Sequence, residues 1–137
     1  MSKEQRKSKV LRNIEEVVKE EELDEILEKK DDPRAYVGFE TSGPVHLGHW
    51  ISVRKMLDLQ EAGFHPIILW ADLHTYLNKK GEEAWIEDMI EYWQATFEAL
   101  GLDAKYIHGR DFQENDNYFH DLLEMMQKTT INRGERA

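Results

Sequence analysis

Between residues 4 and 30 the apolar positions fall at Val10, Ile14, Val17 and Val18, then at Leu23, Ile26 and Leu27, with charged residues between them. That is the spacing of amphipathic helices. It predicts one or two surface helices, broken near Glu20 to Glu22 and closed by Asp31-Asp32-Pro33. Residues 35–40 then form a short strand. Helical spacing returns from His46 to Ala62, with Leu47, Ile51, Met56, Leu57 and Leu59 near one face and Gly63 as the stop. Ile67-Ile68-Leu69-Trp70-Ala71 is a continuous apolar run, the mark of a strand buried on both faces of a parallel sheet. Asp72 to Gly81 reads as a connector opening on Asp-Leu-His. Glu82 to Leu100 is a helix carrying Trp85, Met89, Tyr92, Trp93, Thr96, Phe97 and Leu100, stopped at Gly101. Lys105 to His108 is a third strand, and Asn117 to Thr130 a final helix with Phe119, Leu122, Leu123 and Met126 apolar.

This alternation of strand and helix predicts an α/β fold: a three-layer parallel sheet with right-handed crossovers, preceded by a helical segment over residues 1–33. Ligands of such sheets bind beyond the carboxyl ends of the strands. Glu40 to His49, Asp72 to His74 and Gly109 to Gln113 all fall at that edge. A chain of 137 residues is one domain, able to bury roughly two-thirds of its unfolded surface. Four Trp, five Tyr and five Phe within a 40% hydrophobic composition argue for a packed core and against disorder. The absence of cysteine excludes disulfides and thiolate metal sites. No apolar stretch approaches the ~20 residues of a membrane span, and the N-terminus is too polar for a signal peptide; the expectation is a cytoplasmic protein without membrane contact. The net charge of −10 argues against general coating of nucleic acid. The basic cluster Lys3, Arg6, Lys7, Lys9 and Arg12 reads as a solvated helix face.

The run from Ala35 to His49 carries the chemistry. It reads as a strand, a Gly/Ser/Pro turn, and two histidines three residues apart where a long helix begins. A helix N-terminus presents unpaired N–H groups and partial positive charge, which suits a phosphate. Histidines at i and i+3 share a face and can donate to oxygens of one phosphate. Gly38, Ser42, Gly43 and Gly48 are small enough for a bulky ligand to lie against the backbone. The site lacks the Lys-Ser/Thr of a Walker P-loop. It is a nucleotide phosphate site in outline, of another class.

Several motifs, in order, carry a resemblance. Tyr36-Val-Gly-Phe-Glu-Thr-Ser-Gly, His46-Leu-Gly-His, Asp58-Leu-Gln-Glu-Ala-Gly, Ala71-Asp-Leu-His-Thr-Tyr-Leu-Asn and Phe112-Gln113 resemble the N-terminal half of the Rossmann-like catalytic domain of archaeal and eukaryotic-type tyrosyl-tRNA synthetases, class I enzymes. The resemblance runs from about Lys19 to Thr130. It implies ATP-dependent activation of tyrosine to tyrosyl-adenylate and transfer to tRNA-Tyr. It makes His46 and His49 the catalytic histidines of a HIGH signature, stabilising charge on the α-phosphate as the tyrosine carboxylate attacks. Gly38, Glu40, Ser42, Gly43, His46, Gly48 and His49 would bind ATP, whose magnesium would be bound through the nucleotide, with no protein metal site. Tyr36, Leu69, Ala71, His74, Phe112 and Gln113 would bind tyrosine, Tyr36 by a hydrogen bond to the substrate phenol. Several residues have a plainer reading: Tyr36 as a buried strand aromatic, His74 and Phe112 as core, Asp72 as a turn-fixing carboxylate, Glu40 as a loop brace.

The sequence also departs from that family's pattern. Thr41 stands where Pro is usual, Pro44 where Lys is common, and Trp50 and Trp70 where aliphatic residues are usual. Residues 34–137 would be the N-terminal half of the catalytic domain, ending in the connective insertion. The lysine-rich KMSKS loop, the second half of the tyrosine site and the anticodon domain have no counterpart here. The resemblance implies a homodimer and tRNA-Tyr as partner for the complete enzyme. A nucleotidyltransferase of the HxGH superfamily and a non-catalytic ATP- or tyrosine-binding module descended from a synthetase are the alternatives.

Overall fold

The computed structural model describes residues 1–129. Helix α1 (Lys3–Leu11) begins in a capping box between Ser2 and Gln5. Helix α2 (Glu20–Lys29) opens with Glu20, Glu21 and Glu22, three carboxylates at the positive end of the helix dipole. The break therefore lies over residues 12–19, earlier than expected, with Asn13 at φ 54°. Val17 and Val18 fall in this connector, and Val18 is exposed.

Strands β1 (Arg34–Phe39), β2 (His65–Trp70) and β3 (Lys105–His108) form a parallel sheet in that order. The register pairs Val37 with Ile68 and Phe39 with Trp70, and Trp70 with His108. Helices α3 (Leu47–Glu61) and α5 (Glu83–Ala99) are the crossovers. Two right-handed crossovers stepping in one direction place both helices on the same face. There Phe39, Ile68 and Trp70 meet Val53, Met56 and Leu57 of α3 and Ile86, Ile90, Trp93 and Phe97 of α5.

The opposite face carries Tyr36 and Gly38, which are exposed, and Ile67, Leu69 and Ile107, which are half-buried. Among the described residues the packing is thus two-layered, where a three-layer sheet was expected. On α3 the buried side chains are Val53, Met56, Leu57 and Asp58, while Leu47 and Ile51 are exposed. Gly63 at φ 84° stops the helix in the left-handed region.

The expected connector after β2 holds a short helix, α4 (Asp72–Leu77). One further turn, α6 (Arg110–Gln113), follows β3, and α7 (Asp116–Lys128) closes the described chain. No residue of α7 is buried. Residues 130–137, the remainder of the expected connective insertion and the end of the final helix, lie outside the described residues. Among the described residues, no helix is long and apolar enough to cross a membrane.

The basic N-terminal cluster is an ion-paired docking surface, not a solvated face. Lys3 pairs with Glu28, and Lys7 with Glu20 and Asp24, joining α1 to α2. Arg6 Nε donates to the Ala62 carbonyl at 2.7 Å, Lys9 pairs with Glu61, and Arg12 Nε donates to Asp58 Oδ2 at 3.0 Å. These contacts tie α1 to the C-terminal end of α3, beside a small core of Leu27, Ala62 and Phe64.

Candidate functional site

His46 is the N-cap of α3, in extended backbone, and its Nδ1 accepts the Gly48 N–H at 3.2 Å. His49 returns the contact: its Nδ1 accepts the His46 N–H at 3.2 Å. The two side chains complete a capping box, a role usually taken by Ser or Thr with Glu or Gln. Because both Nδ1 atoms accept, the hydrogen-bond network assigns the proton of each neutral ring to Nε2. The rings stack with centroids 3.7 Å apart. Burial, and then the neighbouring His46, pushes the His49 pKa below the ordinary imidazole value, so His49 is neutral at pH 7. Each histidine therefore offers an Nε2–H donor at the positive end of a helix, and no described residue meets either one.

Gly48 suits this arrangement: a Cβ there would stand 3.0 Å from His46 Cε1 and 3.1 Å from Nδ1, so the capping ring would have to shift. Gly43 has nothing within 4 Å of an added Cβ, and at Gly38 the nearest atom is at 3.7 Å. The chain's own packing does not demand glycine at either place. Ser42, Gly43, Pro44, His46 and His49 line a cavity of about 250 Å³ together with Trp93 of α5. Glu40 stands apart from this cavity; its carboxylate accepts a hydrogen bond from Asn78 Nδ2 at 3.1 Å, the bracing contact of the plainer reading.

The candidate tyrosine residues are less gathered. Tyr36 is 69% exposed and lines a separate, largely apolar groove of about 680 Å³ with Asn13, Ile14, Val37, Trp50 and Ile51. Leu69 lies beside Gly38 in the sheet register, on the same open face. Ala71 and His74 follow β2, His74 exposed on α4. Phe112 and Gln113 lie on α6, Phe112 40% exposed against Tyr118. The Gln113 Oε1 atom is buried without a hydrogen-bond partner among the described residues.

Asp72 joins the loops after β2 and β3. Its buried carboxylate accepts the Leu73 N–H at 2.8 Å and the Arg110 N–H at 3.0 Å, with His108 Nδ1 at 3.2 Å and Arg110 Nε at 3.5 Å. This is the turn-fixing role. Gly109 makes it possible, since an added Cβ would meet Trp70 O at 3.1 Å and Asp72 Oδ1 at 3.2 Å. Trp70 is fully buried in the core rather than in the site, and Trp50 lines the groove.

The sequence that builds this histidine-capped helix beyond the first strand matches, over residues 28–133, the family model described as "tRNA synthetases class I (W and Y)". The chain belongs to this family. It is 50% identical over 131 residues to a tyrosine–tRNA ligase of Archaeoglobus fulgidus, covering 93% of this chain and 41% of that protein. A Methanocaldococcus jannaschii tyrosine–tRNA ligase is 49% identical over 128 residues, covering 93% of this chain and 42% of the relative. The crystal structure of the Archaeoglobus fulgidus tyrosyl-tRNA synthetase complexed with L-tyrosine superimposes with a TM-score of 0.91 at 47% identity, covering 98% of this chain and 43% of that one. The Aeropyrum pernix tyrosyl-tRNA synthetase gives a TM-score of 0.87 at 27% identity, covering 98% of this chain and 42% of that one. The chain thus spans somewhat over two-fifths of the length of these synthetases. The family match sets aside a nucleotidyltransferase of another HxGH family.

Two contributors were missed by sequence reasoning, Trp93 and Asn78. Trp93 was read only as an apolar position of its helix. A buried indole N–H needs an acceptor, which could have flagged it, but nothing in the sequence names an acceptor fifty residues away.

Proposed function

We propose that this chain is the ATP- and tyrosine-binding N-terminal half of a tyrosine–tRNA ligase, an enzyme of protein synthesis. The observation that carries the reading is the pair of histidines at the start of α3, each held by its Nδ1 so that its Nε2 is without a described partner. Donors fixed before the ligand arrives cost no reorganisation when charge develops, which is how such groups favour a transition state. The ATP phosphates would lie in the cavity lined by Ser42, Gly43, His46 and His49, against the helix N-terminus. The tyrosine carboxylate would attack the α-phosphorus in line and expel pyrophosphate, leaving tyrosyl-adenylate. A terminal ribose hydroxyl of tRNA-Tyr would then attack the tyrosyl carbonyl, forming the ester and releasing AMP. The chain's part is positional and electrostatic rather than covalent.

Tyrosine would lie on the open face of the sheet, its phenol toward Tyr36, near Gly38 and Leu69, with Ala71, His74, Phe112 and Gln113 closing the far side. Glu40 and Gly48 would act on ATP through the loop and the cap. Among the described residues no three His, Asp or Glu side chains gather to hold a metal; magnesium would arrive on the nucleotide. The complete enzyme would work in the cytoplasm as a homodimer.

The test is calorimetric titration of ATP into residues 1–137 and into the His46→Ala/His49→Ala double variant. The expected result is weak binding that loses about tenfold when both donors are removed. Equal affinity in the two proteins rejects the site.

A further inference from the structure

Trp93 sits on α5, far in sequence from the phosphate turn, with its side chain 1% exposed. Part of its environment is ordinary core: its ring centroid lies 5.7 Å from Phe39, 5.8 Å from Phe97 and 6.3 Å from Trp70. A phenylalanine or leucine would serve that packing. Two further contacts are of another kind. The indole Nε1–H donates to the Gly43 carbonyl at 2.7 Å, and the ring centroid stands 4.4 Å from that of His49.

The Gly43 contact is decisive for the turn. Among the described residues the other hydrogen bond of residues 42–45 is local, Ser42 N–H to the Glu40 carbonyl at 2.9 Å. The Trp93 indole is the polar tie of this segment to another element, beside the packing of Val45 against the core. A turn of Ser, Gly and Pro with no such tie would sample many conformations. The same ring also forms the wall of the cavity at its buried side and covers the imidazole whose Nε2–H faces ligand. One side chain therefore fixes both halves of the site: the backbone of the turn and the ring of the second histidine.

We propose that Trp93 is a positioning residue of the phosphate site, holding the Gly43 turn through its indole N–H and the His49 ring through its face. The inference rests on the reading of this cavity as the seat of the ATP phosphates. The groups that face His49 are the His46 imidazole, the Phe39 ring from β1 at 6.5 Å, and Trp93 from α5. Of these only His46 titrates, so a change in His49 titration on altering Trp93 reports lost cover and not a lost charge.

The experiment compares residues 1–137 with Trp93→Phe, which keeps an aromatic ring and removes the donor, and Trp93→Leu, which removes both. Three readouts are taken: ATP affinity with magnesium by calorimetry, the His49 titration midpoint by NMR, and the melting temperature. Trp93→Phe is expected to weaken ATP about fivefold to tenfold, the effect of one lost buried hydrogen bond. Trp93→Leu is expected to weaken it further and to raise the His49 midpoint toward the ordinary imidazole value. A lowered melting temperature with unchanged ATP affinity and unchanged His49 midpoint overturns the proposal and leaves Trp93 as core.

If the wild-type chain binds no ATP, the phosphate reading fails, and the His49 midpoint in Trp93→Leu still decides the positioning role. Should both variants unfold, the wild-type indole protons decide. The Trp93 proton is expected to exchange with solvent far more slowly than that of Trp85. Equal exchange at the two positions refutes the hydrogen bond to Gly43.

Discussion

The two ends of α3 handle charge in opposite ways. At the C-terminal end Asp58 is 2% exposed and is surrounded by Arg12 Nε at 3.0 Å, Arg54 at 3.2 Å and Lys55 at 3.9 Å. Burial works to raise its pKa, but the Arg12 hydrogen bond and the charges of Arg12, Arg54 and Lys55 overcome it and hold the carboxyl below its usual value. Lys55 also donates to the Val10 carbonyl at 3.0 Å, so the cluster is closed on itself. At the N-terminal end two imidazoles keep their Nδ1 atoms satisfied and their Nε2–H groups without a described partner. A polar cluster that consumes its own hydrogen bonds is a fastening. One that leaves ring nitrogens unmet beside a cavity has hydrogen-bonding capacity to spare, because unmet polar groups favour whatever completes them.

The largest test of this contrast is Asp58→Asn. It leaves three cations without their carboxylate and should cost about 2–3 kcal/mol, less than a fully buried pair because Arg12 is partly solvated. Denaturant unfolding measures the loss, and ATP affinity should not change beyond it. The His46→Ala/His49→Ala variant should behave in reverse, losing about tenfold in ATP affinity but only about 1 kcal/mol of stability, the worth of a helix cap. If each variant damages both properties equally, the distinction between the two ends fails.

Acid should separate the ends by pH. Asp58 has a folded pKa below its unfolded value of 3.8, so its contribution is complete above that value and is lost as the pH falls through the folded pKa. His49 has a folded pKa below its unfolded value of 6.5, so folding favours the neutral ring and stability declines as the pH drops below 6.5. Two acid phases are expected in a stability–pH profile, and Asp58→Asn should shrink only the lower one, to which Glu61, held down by Lys9, also contributes.

Smaller effects belong to exposed groups. Tyr36→Phe should leave stability within about 0.5 kcal/mol, since the side chain is largely solvated, while narrowing the preference for tyrosine over phenylalanine in competition binding. One face of α7 exposes Phe119, Leu123 and Met126, an apolar stripe through which a second copy would associate weakly. Sedimentation of Met126→Glu should shift toward monomer without any change in melting temperature.

Much of the fold was legible in the sequence because its signals are local. The apolar run of β2, the Gly63 and Gly101 stops and the helical spacing of α5 located their elements within a residue or two. The errors have local causes as well. Val17 and Val18 satisfied a helical period but fall in the connector, because Glu20 to Glu22 begin a new helix. Asp72 to Leu77 lacked a full apolar stripe and so read as a connector, yet it is helical, with the buried Asp72 carboxylate fixing its first turn. In the candidate site the histidines, the small residues and the strand edges were legible as a motif. The separation of Tyr36 from the phosphate cavity was not, since it depends on how β1 lies beside α3.

By itself the sequence determined where the paired histidines and small residues of the candidate site stand, and where strands and helices alternate, because periodicity, turn residues and helix ends act over a few positions. Only the tertiary structure decided that the basic N-terminal residues are fastenings rather than a solvated face. The same packing made both crossover helices share one side of the sheet and carried Trp93 to the Gly43 carbonyl. Each of these is a contact between elements far apart in the chain. Such contacts follow from crossover handedness, burial and the pairing of polar groups in three dimensions, which no short window of sequence contains.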